Sequence, residues 1–132
     1  MSDYIRPNIT IAEASCSHCG VLPSDQYLDW FQHLRTVCGF ALPFRSMYRC
    51  PDWNDNIGGS PSSVHLLCAE DNIFGAADIG ISRSQPRKRW TIMAAALEFG
   101  MNNFEVCDYH LHIGIAPIDH IQVHKLYWNT SK

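Results

Sequence analysis

No run of apolar residues in this 132-residue chain approaches the about 18 positions that a membrane-spanning helix needs. An excess of basic charge is also missing, since 10 Lys and Arg stand against 13 Asp and Glu for a formal charge of −3. Duplex nucleic acid calls for a net basic face, so it is not an expected partner. The opening residues, MSDYIRPNIT, have no basic flank leading into an apolar stretch, and the expectation is synthesis in the cytoplasm without a secretory signal. There is no internal repeat, linker or low-complexity tract, and no second Cys-x-x-Cys completes the pattern that Cys16-x-x-Cys19 would begin. What these absences leave is one soluble globular domain over residues 1–132, 46% apolar and long enough to bury a core without staples.

Six cysteines, at 16, 19, 38, 50, 68 and 107, exceed what packing alone requires. For the Cys16–Cys19 pair, reduced buried thiols, a disulfide and half of a second, structural zinc site all stay open. The one basic cluster, RSQPRKR from Arg83 to Arg89, reads as a solvated loop and first helical turn, or else as a contact for an anionic polymer.

Periodicity then supplies the elements. Thr10 and Glu13 have capping-box spacing, so a short helix starts near Ile11. Ser24 opens and Gly39 closes a longer helix whose stripe is Tyr27, Leu28, Phe31, Leu34, Val37 and Cys38. ALPFRSMYR is a strand ending at Arg49, and Cys50 to Pro61 is a long loop rich in Pro, Asn, Asp, Gly and Ser. FGAADIGIS is another strand. A second main helix follows, with Ser84 as cap, Pro86 in its first turn, Gly100 past its end, and a buried stripe of Trp90, Met93, Ala94, Leu97 and Met101. FEVCDYHLHIGIA makes a hairpin turning near Cys107-Asp108, and HIQVHKLYW adds an edge strand. The expected fold class is α+β, a mostly antiparallel sheet with flanking helices.

Chemistry concentrates in two stretches, Ser46 to Asp78 and DYHLHIGI. His110 and His112, two apart, point to the same face of a strand and can serve one site. Ser46-Met47-Tyr48-Arg49, Asn54, Gly58-Gly59, Ser63-x-His65, Ala76-Ala77-Asp78-Ile79 and Leu111-His112-Ile113 follow one another in an order that resembles the zinc D-Ala-D-Ala carboxypeptidase family of metallopeptidases. That family includes phage endolysins and L-alanyl-D-glutamate murein endopeptidases, and it shares its fold with the signalling domain of hedgehog proteins. The likeness runs from about residue 10 to residue 116.

The resemblance implies a hedgehog/DD-peptidase-like domain holding zinc through His65, Asp78 and His112, with the fourth position open. An open zinc site makes a water acidic enough to be a nucleophile at neutral pH and polarises a carbonyl. By the same resemblance Arg49 stabilises the tetrahedral oxyanion, Ser63 binds substrate, and the substrate is a peptidoglycan stem peptide; Tyr48 and Trp53, aromatics beside the loop, either line the cleft or pack. Relatives often carry an acid three residues before the last ligand, where this chain has Tyr109; His110 is therefore the expected base, with Asp108 as its partner or substitute. The segment CAEDNI lengthens the stretch between His65 and Asp78 and offers Glu70 and Asp71 as rival ligands. Action at the cell wall or periplasm, as a phage or prophage lysis enzyme delivered by another protein, is the implied setting. The alternative is a non-catalytic, zinc-stabilised binding or structural protein on the same scaffold.

Overall fold

The computed structural model describes residues 3–67 and 73–119, and the backbone of 125–130. Two short strands, β1 (Tyr4–Arg6) and β2 (Ile9–Thr10), form a hairpin through Pro7-Asn8. Arg6 pins that hairpin to the next long helix through Asp25 and Asp29, at 3.0 and 2.9 Å. Helix α1 (Ile11–Ala14) has the capping box, Thr10 accepting from the Glu13 amide at 3.0 Å while Glu13 accepts from the Thr10 amide at 2.9 Å. The other Glu13 carboxylate oxygen accepts the Phe44 amide at 3.2 Å, so one side chain starts a helix and anchors a strand.

Helix α2 (Asp25–Cys38) begins at Ser24, which accepts from the Tyr27 amide, and ends on Gly39 in the left-handed region at φ +74°. Its buried face is Tyr27, Leu28, Phe31 and Leu34. Val37, expected on that stripe, is 53% exposed. At about 100° per residue it sits roughly 110° away from the mean direction of the others, whereas Cys38 returns to their side. Strand β3 (Phe44–Ser46) is shorter than expected, its pairing ending three residues before Arg49. Within the expected Cys50–Pro61 loop lies a helix, α3 (Pro51–Asn56), started by Pro51 at its first position and by Cys50, whose sulfur accepts the Trp53 amide.

Strand β4 (Gly75–Ile79) leads to α4 (Pro86–Glu98), and β5 (Asn103–Cys107) with β6 (Leu111–Ile115) makes the expected hairpin. Strand β7 (Lys125–Thr130) overlaps the expected last edge strand at 125–128 and runs two residues past it; positions 120–124 of that segment fall outside the described residues. The sheet order is β3-β4-β6-β5-β7, antiparallel except for β5 beside β7.

The face of α4 differs from the expected stripe. Trp90 and Leu97 are 76% and 59% exposed, and the buried residues are Arg89, Ile92, Ala95 and Ala96. The helix is also capped by the backbone at Gln85 and not by Ser84, whose hydroxyl bonds Ser82. Arg89 fixes the rotation. Its guanidinium enters the interior and donates to the carbonyls of Ile81, Cys107, Asp108 and His110. The basic cluster is therefore only partly a solvated turn: Arg89 holds the corner of the β5–β6 hairpin from inside, and Arg83 pairs with Asp108 outside.

Alternation along the strands separates two chemistries. Ala77, Ile79, Phe104, Val106, Leu111 and Ile113 pack with α2 and α4 in the main core. Asp78, Asn103, Glu105 and His112 alternate with them and so occupy the opposite face of the sheet.

Candidate metal centre

Asp78 on β4 and His112 on β6 are direct partners in the antiparallel register, which places both side chains side by side on the face away from the helices. His65 reaches them from a 3-10 turn over Val64–Leu66, held down where Val64 packs against Ala76 and Ala116. The His65 Nε2 lies 3.2 Å and the His112 Nδ1 3.0 Å from the same oxygen, Asp78 Oδ1. His65 is 1% exposed, and the ligand atoms of all three residues fall within 4.8 Å of one another.

The far nitrogen of each ring is tied to an acceptor. His65 Nδ1 donates to the Met47 carbonyl at 2.6 Å, and His112 Nε2 to Asn103 Oδ1 at 2.5 Å. With the ring protons committed there, neutral imidazoles turn two lone pairs toward a carboxylate oxygen. Three acceptors thus converge without a proton between them, and a cation at their meeting point resolves the conflict. Burial pushes His65 down against the pull of Asp78, which disfavours meeting that need with a proton. Burial also opposes charge on Asp78; a proton on the rings facing it outweighs burial and holds the carboxyl well below its usual range, the part a cation takes when the rings are neutral. A tetrahedral ion bound to N and O at about 2.0–2.1 Å separates its ligands by about 3.3 Å, close to the two spacings seen. The donor set fits zinc, and the fixed far nitrogens are the outer support that imidazole ligands ordinarily have.

Around this centre, Arg49 donates to Ser63 Oγ at 2.9 Å, and Ser63 in turn accepts the His65 amide at 3.3 Å. The arginine, the serine and the buried histidine are therefore one connected group. His110 leads into β6 half-buried, within electrostatic reach of Asp78, His112 and Glu105; burial lowers its pKa against the carboxylates. The Asp108 carboxylate pairs with Arg83 at 3.3 Å, and among the described residues no hydrogen bond joins it to the His110 ring. Tyr109 is 68% exposed. Tyr48 packs against the main core, and Trp53 stacks on His18. Glu70 and Asp71 lie outside the described residues.

Residues 4–114 match the Peptidase M15 family. The chain belongs to peptidase family M15. M15 proteins are zinc peptidases, which agrees with the donor set of His65, Asp78 and His112. No curated protein and no solved structure matches the chain.

Sequence reasoning missed four contributors to this M15 centre. Asn103 and Glu105 stand on the His112 side of β5, a placement the alternation of NFEVC contains once the β5–β6 register is known, with Glu105 opposite His112. The Met47 carbonyl that fixes His65 carries no side-chain signature. Arg89, buried among carbonyls, looks like any other member of a basic cluster.

Proposed function

We propose that the chain is a zinc-dependent peptidase that hydrolyses a peptide bond in peptidoglycan stem peptides, either D-Ala-containing or L-Ala-D-Glu, and that it serves phage or prophage lysis at the cell wall. The single observation that carries this reading is the convergence of His65, Asp78 and His112, with both far ring nitrogens already committed. Bound zinc would supply an acidified water and a polarised carbonyl. His110, half-buried beside the ligands, takes the proton of the attacking water and returns it to the leaving amine. Arg49, oriented by Ser63, offers a permanently charged pair of donors to the oxygen that becomes negative in the tetrahedral state. Ser63 binds the substrate, and Tyr48 lines its cleft.

One observation favours the second reading, a non-catalytic zinc-stabilised protein on the same scaffold: the position of the usual acid is an exposed tyrosine, Tyr109. Turbidity loss of purified murein sacculi, with mass spectrometry of the released muropeptides, separates the two. The peptidase reading expects clearing and a defined new amino terminus from the zinc-loaded protein, and neither from His112→Ala or a zinc-stripped sample. Clearing by the stripped protein defeats it, and no cleavage of any stem peptide by a fully loaded protein selects the second reading.

A further inference from the structure

A second convergence of metal-binding side chains lies at the start of the chain. Cys16 and Cys19 bracket a tight turn in which the Cys16 carbonyl accepts the Gly20 amide and the Cys16 amide donates to the Val21 carbonyl, both at 2.9 Å. Gly20 adopts φ +74°, which lets the chain reverse there. Cys50, 34 residues away, meets this turn, its amide donating to Cys16 Sγ at 3.4 Å while its own sulfur accepts the Trp53 amide at 3.4 Å. The three sulfurs fall within 4.8 Å of one another, and none is bonded to another. His18, its ring parallel to Trp53 at 6.3 Å, sets Nδ1 3.4 Å from Cys50 Sγ.

We propose that Cys16, His18, Cys19 and Cys50 form a closed Cys3His site for a structural zinc ion, distinct from the centre at His65, Asp78 and His112. A zinc ion with sulfur ligands at about 2.3 Å and a nitrogen at about 2.0–2.1 Å spaces them by about 3.8 Å for S···S and about 3.6 Å for N···S; the three sulfurs lie within 4.8 Å of one another and His18 Nδ1 stands 3.4 Å from Cys50 Sγ, so closing the site brings the imidazole in over the other two sulfurs. Four protein ligands leave no open position, the mark of a structural site. Thiolate is the ligating form; burial opposes it at Cys16, but the amides of Cys50, Cys19 and His18 outweigh burial and bring that thiol to about 7. At Cys50 the Trp53 amide favours the thiolate, but burial and the neighbouring sulfurs of Cys16 and Cys19 outweigh it and push that thiol up, a crowding of sulfurs that a bound cation relieves. The ion would tie the N-terminal turn to the start of α3, directly after Arg49, and so hold the segment from which that guanidinium reaches Ser63.

Metal analysis and cobalt substitution of the full chain, purified under reducing conditions, test this. About two zinc ions per chain are expected for the wild type and for Cys38→Ser, and about one for Cys19→Ser. Cobalt-loaded wild type should show a sulfur-to-cobalt charge-transfer band in the near ultraviolet, kept in His112→Ala and in Cys19→His, which preserves four ligands. Absence of that band from the wild type overturns the proposal even if every cysteine variant fails to fold. So does an intact mass showing that Cys16 or Cys50 is in a disulfide. A single sulfur-bound ion upholds this proposal and counts against the peptidase centre, whereas a single ion without the band does the reverse.

Discussion

Asn103 is buried, and its Oδ1 is the acceptor that turns the His112 ring so that Nδ1 faces Asp78. Replacing it by leucine keeps the branched outline of the side chain and removes the acceptor, so the imidazole loses its tautomer preference. Zinc affinity, measured by competition with a chromophoric chelator, should fall by about 10- to 100-fold, while Asn103→Asp, which restores an acceptor, should stay near wild type. His110 is a different case, because its ring is not among the three convergent ligand groups. His110→Gln should keep the zinc content and lose about 10²- to 10⁴-fold in kcat. An unchanged kcat would remove His110 from the proton path. Gly114 also belongs at this scale: a Cβ there would come within 2.9 Å of the Gly75 carbonyl and 3.0 Å of Ala76 Cβ. Gly114→Ala must push β4 and β6 apart beside Asp78 and should cost about 1–3 kcal/mol in urea unfolding.

Among the elements, α4 has the less obvious orientation. Its large apolar residues, Trp90 and Leu97, face solvent, and its interior face is made of small alanines, Ile92 and a charged arginine. Four carbonyl acceptors from the strand-end and hairpin backbone fix Arg89, and with it the helix rotation, more firmly than hydrophobic area fixes Trp90. Trp90→Gln should therefore change unfolding free energy by no more than about 0.5 kcal/mol, whereas Ile92→Ala should cost about 2–5 kcal/mol. The opposite ranking would mean that the helix presents its Trp90 side to the core. Arg89→Met takes the guanidinium from all four carbonyls, of which Asp108 and His110 keep the Arg83 and Cys107 amides, and should cost about 2–4 kcal/mol.

At the scale of the molecule, one sheet separates two kinds of stabilisation, an apolar core under α2 and α4 and a polar centre on the other face. The second face gathers buried acceptors that a cation reconciles, so its contribution depends on metal. Chelation with a strong zinc ligand should lower the melting temperature by on the order of 10 °C, with recovery on adding zinc back. A melting temperature indifferent to chelator would show that the convergent groups are reconciled by protons instead.

Legible from residue order alone is whatever is settled within a few residues by backbone hydrogen bonds: the Thr10–Glu13 box, the Ser24 and Gly39 ends of α2, Pro86 at the start of α4, and the hairpin that carries His110 and His112. The sequence also contained the Pro51 start of α3, which the surrounding Asn, Asp and Gly residues obscured. The ordered set of His65, Asp78 and His112 was legible through likeness to a family, not through spacing, because no local rule joins residues so far apart in the chain. Long-range packing settles that a turn at Ser63–Leu66 lies over the sheet, that Asn103 and a backbone carbonyl orient the two rings, that α4 turns on Arg89, and that Cys50 meets Cys16. Each of these depends on register and packing between segments distant in sequence, where the free energy comes from contacts that do not exist until the chain has closed.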